Sequence, residues 1–190
     1  MKLDKQQQLD NITQKIGKCQ KCDLYKTATN PVPGSGNPQA EIVFIGEAPG
    51  AKEDATGLPF VGNSGKLLDK LLASISVNRL DVFICNILKH RPPHNRDPLP
   101  EEIKVCVPYL KDQLQVIGPK VIITLGRFAM NYFFPLEKIS NIHGKINKTN
   151  WHGLDLVVIP VYHPNAGLRN GRMLASLQAD FKTIGKYLEK

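Results

Sequence analysis

The chain has 190 residues, and its 25 Lys and Arg against 17 Asp and Glu give a formal net charge of +8 and a pI of about 9.3. With 42% hydrophobic residues, the composition excludes a disordered chain and predicts a single domain over residues 1–190. No apolar run approaches the roughly 18 residues that a membrane span needs, and the polar N-terminus indicates no signal peptide. We therefore expect a cytoplasmic monomer whose positive charge favours nucleic acid as its partner.

Strands and helices alternate along the predicted chain. In order, the elements are strand 41–47, helix 64–75, strand 81–88, helix 100–117, strand 120–126, helix 127–134, strand 155–161 and helix 173–188. The strand runs are apolar almost throughout rather than alternating, which is typical of strands buried on both faces of a parallel sheet. The pattern indicates an open α/β sheet with helices on both faces, to which residues 141–153 add a small antiparallel segment.

Loops rich in glycine and polar residues follow three of these strands. The first strand leads into residues 46–50 (GEAPG) and then 57–62 (GLPFVG). The second carries Asn86 and leads into residues 89–96 (KHRPPHNR), and the last leads into residues 162–170 (YHPNAGLRN). Because ligands of such sheets bind at the carboxyl ends of the strands, we expect these segments to line one cleft.

Several residues of these loops suit ligand binding, and each also has a structural alternative. The glycines of residues 46–50 would let a ligand approach the main chain, or they form an ordinary turn. Phe60, in a loop of Gly and Pro, offers a stacking surface for a flat ligand. His163 precedes a Pro, which predicts an extended backbone at the end of its strand. Leu168 and Arg169 pair an apolar wedge with a cation, which suits a nucleic-acid groove; alternatively, Leu168 is packed in the core.

The four cysteines are expected to be metal ligands or core thiols in a reducing compartment. Cys19 and Cys22 form a C-x-x-C half-site for zinc or an iron–sulfur cluster. A thioredoxin-type redox pair is disfavoured, because this motif precedes the first strand instead of following one. Two further ligands are needed, and the candidates are Cys106, His90 and Cys85, of which Cys85 is equally suited to the core of its strand.

Taken together, these motifs resemble the family 4 uracil-DNA glycosylases. Residues 46–50 resemble the first motif of that family and residues 163–169 (HPNAGLR) its second. The C-x-x-C, the G-x-P-F-V-G loop, the strand Asn, the R-P-P-x-N-R stretch and a following Cys occur in the same order, from about Cys19 to the last helix. The resemblance implies a three-layer α/β/α sandwich with a four-stranded parallel sheet, a structural 4Fe–4S cluster, and excision of uracil from DNA at the start of base excision repair.

Two positions depart from the family pattern. Asn165 stands where the family has Ser, and His90 stands where it has the third cluster Cys. The implied metal ligands are Cys19, Cys22, His90 and Cys106. Cys85 is the alternative to His90, although five residues of extended strand separate them by ~16 Å. Because imidazole binds iron in Rieske centres and three Cys with one His also suit zinc, zinc and an incomplete cluster are kept beside the 4Fe–4S cluster.

The resemblance also implies roles in the cleft. The uracil-binding residues would be Gly46, Ala48, Phe60, Asn86 and His163. Phe60 would stack on the base, Asn86 would read its Watson–Crick edge, and His163 would donate to uracil O2 as negative charge develops. Glu47 or Glu53 would orient the attacking water or stabilise the sugar cation. The residues expected to contact DNA are Arg91, Arg96, Asn165, Leu168 and Arg169.

The competing interpretation is a non-enzymatic, zinc-stapled nucleic-acid-binding protein. It explains the charge, the Cys and His set and residues 168–169, but not the convergence of the candidate site residues on one cleft. A nucleotide-processing hydrolase is disfavoured because the chain has neither of the common glycine-rich phosphate-binding patterns. We therefore predict a uracil-DNA glycosylase that flips deoxyuridine out of the stack and hydrolyses its N-glycosidic bond.

Overall fold

A six-stranded mixed sheet lies at the centre of the computed structural model, which describes residues 3–189. In chain order the strands are β1 (Ser35–Gly36), β2 (Ile42–Gly46), β3 (Phe83–Asn86), β4 (Val121–Leu125), β5 (Asn147–Trp151) and β6 (Leu154–Val161). Their order across the sheet is β1-β3-β2-β4-β6-β5. The central pairs β3–β2, β2–β4 and β4–β6 are parallel, whereas β1 and β5 pair antiparallel with β3 and β6 at the two edges.

The predicted α/β class is confirmed, but the predicted count of four strands is wrong. The four apolar runs became β2, β3, β4 and β6, the parallel centre of the sheet. Strand β1 has only two residues, too few for any pattern. Strand β5 reads NKTNW and alternates between exposed and partly buried residues, as expected of an edge strand with one face toward solvent. It falls within the antiparallel addition that was predicted for residues 141–153.

Helices connect and flank the strands. In chain order they are α1 (Lys5–Gly17), α2 (Ala51–Thr56), α3 (Asn63–Ala73), α4 (Pro100–Ile117), α5 (Arg127–Phe133), α6 (Ile139–Ile142), α7 (Pro164–Arg169) and α8 (Gly171–Leu188). The four predicted helices correspond to α3, α4, α5 and α8, each within two residues at either end. Among residues 3–189, no helix has both the length and the apolar character to cross a bilayer.

Apolar side chains pack against both faces of the sheet. Helices α1 and α4 cover one face, and α3 and α8 cover the other. Strand β2 shows the division, because Val43 and Ile45 belong to the first cluster and Phe44, between them, to the second. The sheet therefore lies between two helical layers, and α1, which the sequence analysis did not predict, completes one of them.

The parallel strands bring the predicted cleft to one edge of the sheet. Gly46 and Asn86 are paired at the ends of β2 and β3, and Leu125 and Val161 are paired at the ends of β4 and β6. The loops that carry the candidate residues leave β2, β3 and β6 at this edge.

Candidate active site and metal centre

The ends of β2 and β3 bring three of the predicted uracil-binding residues together. Gly46 pairs with Asn86 across the two strands, and the ring of Phe60 approaches the same point. A Cβ atom at position 46 would lie 2.3 Å from Asn86 Oδ1 and 2.6 Å from Phe60 Cζ, which is closer than atoms can approach. This position therefore accepts only glycine, and an amide and an aromatic ring meet beside its bare main chain.

The Asn86 side chain has a hydrogen-bond acceptor that is unpaired among residues 3–189. The residue is 1% exposed, and within residues 3–189 its buried Oδ1 has no hydrogen-bond partner. Because buried polar atoms are nearly always paired, this acceptor is available to a donor from outside the chain, such as the N–H group of a ligand.

Phe60 is held in a conformation that most side chains avoid. Its φ of +51° lies in the left-handed region, and its side chain is buried. A Cβ atom at Gly65, in α3, would lie 1.8 Å from the Phe60 carbonyl oxygen, so the loop rests directly on that helix. The contact with α3 holds the backbone of Phe60 in this strained conformation, and the conformation directs the ring toward Gly46.

Glu53, one of the two predicted catalytic carboxylates, is bonded to the main chain of the same loop. Its Oε1 accepts hydrogen bonds from Val61 N at 2.9 Å and Gly62 N at 2.8 Å. Its Oε2 accepts from Gly50 N at 3.2 Å, at the start of α2. Both oxygens of this carboxylate therefore tie the loop after Phe60 to the glycine-rich exit of β2.

His163 follows β6 and caps helix α7. Its Nδ1 accepts a hydrogen bond from Asn165 N at 3.1 Å, so the proton of the neutral ring belongs on Nε2. Burial lowers the pKa of His163 to about 4, although the charge of Glu53 opposes the shift. The ring centroid lies 5.9 Å from that of Phe60. At neutral pH His163 is therefore an uncharged Nε2–H donor beside the aromatic ring.

Glu47, the other predicted carboxylate, follows Gly46 and is half-buried. Burial raises its pKa to about 7, the negative charge of Asp97 adds to the increase, and Arg127 opposes it. Asp97 and Arg127 form an ion pair with each other. A carboxyl group that titrates near neutral pH is suited to accept a proton from water. Ala48, the next residue, is half-buried and packs against the core.

The second motif forms α7, and three of the predicted DNA contacts are exposed there. Asn165, Leu168 and Arg169 all face solvent, with Leu168 48% exposed. The alternative that Leu168 packs in the core is therefore wrong. The opposite side of the helix packs on α8, where a Cβ atom at Gly167 would lie 2.8 Å from Leu177 Cδ1. An exposed apolar side chain beside a cation is what a wedge in a nucleic-acid groove requires.

Arg91 and Arg96, the other predicted DNA contacts, are hydrogen-bonded close to the loop after β3. Arg91 Nε donates to Asn95 Oδ1 at 2.7 Å. Arg96 forms a two-pronged ion pair with Glu102, at 2.9 Å and 2.6 Å. Glu102 is buried, and Arg96 holds its pKa below the usual range. Arg96 therefore anchors the loop to α4, and its contact with DNA stays a prediction.

Three of the predicted metal ligands are near neighbours. Burial raises the pKa of the Cys106 thiol to about 11, and the charges of Cys22 and Cys19 add to the increase. The Sγ of Cys106 also accepts a hydrogen bond from Lys89 N at 3.3 Å. Burial raises the pKa of Tyr109, one turn further along α4, and the neighbouring Cys19 adds to the increase. The C-x-x-C segment and α4 thus present thiols to a common region.

His90 and Cys85, the two candidates for the fourth ligand, lie in different surroundings. His90 is buried and lines the same cavity of about 190 Å³ as Cys19. Burial lowers its pKa, which favours the neutral imidazole that a metal needs. Cys85 is enclosed within β3, where a Cβ atom at Gly34 would lie 2.8 Å from its own Cβ. In the described part of the chain, no three His, Cys, Asp or Glu side chains are grouped closely enough to share a metal ion.

Sequence reasoning missed two charged features of the site. Lys89 is 1% exposed and reaches the carbonyl oxygen of Asn86. The sequence contained a clue to the burial of Lys89, because this residue directly follows an apolar run and precedes His90. The Asp97–Arg127 pair beside Glu47 had no such signal, since both residues are exposed charges far apart in the sequence.

The chain is an α/β protein whose side chains at the carboxyl ends of β2, β3 and β6 are suited to bind a flat ligand with a polar edge. Residues 33–189 match the uracil-DNA glycosylase superfamily. The type-4 uracil-DNA glycosylase of Archaeoglobus fulgidus is 50% identical over 187 residues, covering 96% of this chain and 94% of that protein. The proteins of the same name from Saccharolobus solfataricus and Thermotoga maritima are 47% and 43% identical, covering 95% and 85% of this chain and 86% and 84% of their own lengths.

The chain belongs to the uracil-DNA glycosylase superfamily. Within it, the chain is similar along nearly its whole length to proteins named type-4 uracil-DNA glycosylase. The family and the enzyme class that the sequence predicted are therefore confirmed. A non-enzymatic binding protein is no longer needed to explain the charge or the Cys and His set.

Substitution of Glu47 by Gln should change how stability depends on pH. The Glu47 pKa is about 7 in the folded protein against an ordinary value of 4.5. The folded state therefore holds an extra proton between these values, and the stability this gives is complete below pH 4.5 and lost as the pH rises through 7. Because Gln does not titrate, the unfolding free energy of Glu47→Gln relative to the parent should rise by about 1–3 kcal/mol across this window, allowing for solvent screening.

Urea unfolding of both proteins at a series of pH values measures this difference. A free-energy difference that stays constant with pH would show that Glu47 does not titrate in this range when the protein is folded.

Proposed function

We propose that this chain excises uracil from DNA by hydrolysing the bond between uracil N1 and C1′ of the sugar. The observation that carries the proposal is the unpartnered Oδ1 of Asn86 beside the ring of Phe60. Uracil presents an N3–H donor next to its O4 acceptor, and a carboxamide offers the matching acceptor and donor. Cytosine presents an acceptor at N3 and an amine at C4, so like groups would face each other in the buried site. Membership of the family supports the same reaction.

The reactive bond is hidden while the base is stacked, so the nucleotide has to rotate out of the helix before reaction. The exposed face of α7 suits this step. Leu168 would fill the gap that the base leaves, and Arg169 and Asn165 would hold the neighbouring backbone. Phe60 then receives the flipped base on its ring, where stacking is worth ~1–3 kcal/mol.

His163 stabilises the leaving group in the proposed mechanism. As the C1′–N1 bond breaks, its electron pair moves into the uracil ring and negative charge gathers on O2. A donor that is already neutral can hydrogen-bond this oxygen without losing a proton, and this bond strengthens as charge develops. The Nε2–H that the Asn165 hydrogen bond assigns to His163 suits this role, and the low pKa of the ring keeps it uncharged.

Glu47 is the residue we assign to the water. In its ionised form it accepts a proton from the water molecule whose oxygen bonds to C1′, which leaves an abasic sugar and a protonated carboxyl group. Its raised pKa makes it a strong enough base near neutral pH. Glu53 acts on the reaction through position, because its hydrogen bonds to Val61 and Gly62 hold the loop of Phe60.

We further propose that Cys19, Cys22, Cys106 and His90 hold a 4Fe–4S cluster. The donor types suit such a cluster, because Cys19 and Cys22 act electrostatically on Cys106 and the buried His90 lines a cavity with Cys19. The four side chains are not drawn together into one site in the described residues, so binding would have to close them around the cluster. Bound by these residues, such a cluster would supply a structural cross-link between the N-terminal segment and α4. The same donors also suit zinc, and a measurement of iron and zinc content distinguishes the two metals.

The Asn86 assignment predicts a large loss of activity from one small change. A uracil-containing oligonucleotide treated first with protein and then with alkali should show strand breaks at the uracil. Asn86→Ala should lower kcat/KM at least about tenfold, since a hydrogen bond to a buried group is worth ~1.5–3 kcal/mol in the transition state. Affinity for abasic DNA should hardly change.

Asn150→Ala is the matched control, because Asn150 is exposed on the edge strand β5 and should have no effect on uracil release. Equal rates from Asn86→Ala and the parent protein would sink the pocket assignment.

The metal assignment predicts a brown protein with broad absorption near about 400 nm and about four irons per chain. His90→Cys should keep or improve iron retention, because thiolate is the usual ligand of such clusters, whereas His90→Ala should lose iron to a chelator. Cys85→Ser is the control and should leave the iron content unchanged. A colourless protein with one zinc per chain would refute the iron–sulfur cluster and leave the glycosylase function standing.

A further inference from the structure

Lys89 places a positive charge where the fold has no carboxylate to receive it. The side chain is 1% exposed, and within residues 3–189 the hydrogen-bond partners of its Nζ are three neutral oxygens. These are Asn86 O at 2.8 Å, Gln113 Oε1 at 2.8 Å and Pro33 O at 3.2 Å. Burying an ammonium group without an anion is unfavourable, and an apolar side chain of the same length would fill the space more easily. The groups on which this charge acts are the thiols of Cys106 and Cys85, whose pKa values it lowers against the larger effect of burial. Lys89 therefore lies between the region of the thiols and the end of β3.

The three oxygens belong to three separate segments of the chain. Asn86 ends β3, Gln113 lies on α4 two turns beyond Cys106, and Pro33 follows the segment that carries the C-x-x-C. Gln113 Nε2 also donates to Pro33 O at 2.8 Å, which closes a buried triangle. The ammonium group thus holds the strand end that carries the base-reading amide against both segments that carry the thiols.

The main chain of Lys89 joins the same parts of the molecule. Its N–H donates to Cys106 Sγ at 3.3 Å, and its carbonyl oxygen accepts from Val32 N at 2.7 Å. Meanwhile the side-chain Oδ1 of Asn86 has no partner among the described residues, so it does not itself fix the direction of the amide. The orientation of the amide depends on its packing against Gly46 and Phe60 and on the backbone of Asn86, and Lys89 holds the carbonyl of that backbone.

We propose that Lys89 is a positioning residue for uracil recognition: its ammonium group fixes the carbonyl of Asn86, and through it the direction of the base-reading amide, while its main chain ties the same strand end to Cys106. The inference rests on the proposed function, since it needs Asn86 to read the base. Lys89 connects the region of the thiols to the end of β3 that carries Asn86.

The test compares Lys89→Met with Gln113→Met. Met keeps the length of the aliphatic stem and removes the donors, including the one to Asn86 O. Gln113→Met breaks the same buried triangle but leaves the Lys89–Asn86 hydrogen bond in place. Both variants and the parent are compared at equal metal content per chain, by thermal unfolding, by affinity for a uracil-containing oligonucleotide and by the single-turnover rate of uracil release at saturating protein.

We expect Lys89→Met to lower the single-turnover rate more than tenfold, while its DNA affinity changes less than about threefold. Gln113→Met, with a comparable loss of thermal stability, should keep the rate within about threefold of the parent. Equal losses of rate in the two variants, or a parental rate in Lys89→Met, would overturn the proposal. Failure of the parent protein itself to release uracil would instead refute the proposed function.

A measurement on the unchanged protein covers the case in which Lys89→Met does not fold. The ¹⁵N resonance of the buried Lys89 ammonium should shift when free uracil is added at concentrations that inhibit uracil release. The reason is that Lys89 donates to the carbonyl of Asn86, the residue whose side-chain amide binds uracil. A resonance that does not move while uracil binds would overturn the proposal.

Discussion

At the carboxyl end of β2, the main chain of Gly46 lies so close to Asn86 Oδ1 and the Phe60 ring that one added carbon atom would collide with both. The rest of the cleft is arranged around this close approach. The parallel register of β2 and β3 places Asn86 opposite Gly46, and the bare surface of α3 at Gly65 lets the Phe60 loop descend onto the helix. The bare main chain of Gly46 is what allows the amide of Asn86 and the ring of Phe60 to meet at one point.

Burial then gives the two titratable groups of the cleft opposite roles. The same removal from water raises the pKa of Glu47 to about 7 and lowers that of His163 to about 4, since it disfavours a charged carboxylate and a charged imidazole alike. One group becomes a base that works near neutral pH, and the other stays a neutral donor. Glu53 holds the Phe60 loop through its hydrogen bond from Val61 N, and its negative charge opposes the fall in the His163 pKa.

The residues that could be predicted are those that follow buried strands. Asn86 and His163 could be located because apolar runs identify the strand that carries Asn86 and the strand that His163 follows, and parallel strands end at the same edge. Their roles came from the resemblance to the family. Phe60 was singled out because a Gly and Pro loop predicts no core for an aromatic ring, but in the structure the ring belongs to the core cluster on the α3 and α8 face of the sheet. The Arg96–Glu102 ion pair could not be predicted from the sequence. A motif identifies an arginine, but it does not show whether the guanidinium faces DNA or a buried carboxylate. Strand β5 escaped a search for apolar runs because only one of its faces is covered.

Diffraction from crystals soaked with free uracil tests the central claim most directly. The account predicts a base lying flat against the Phe60 ring, with its N3–H donating to Asn86 Oδ1 and its O2 accepting from His163 Nε2, each at a distance of about 2.7–3.2 Å. Uracil bound elsewhere on the protein, or bound in the cleft with the Asn86 amide turned away from its N3–O4 edge, would contradict it.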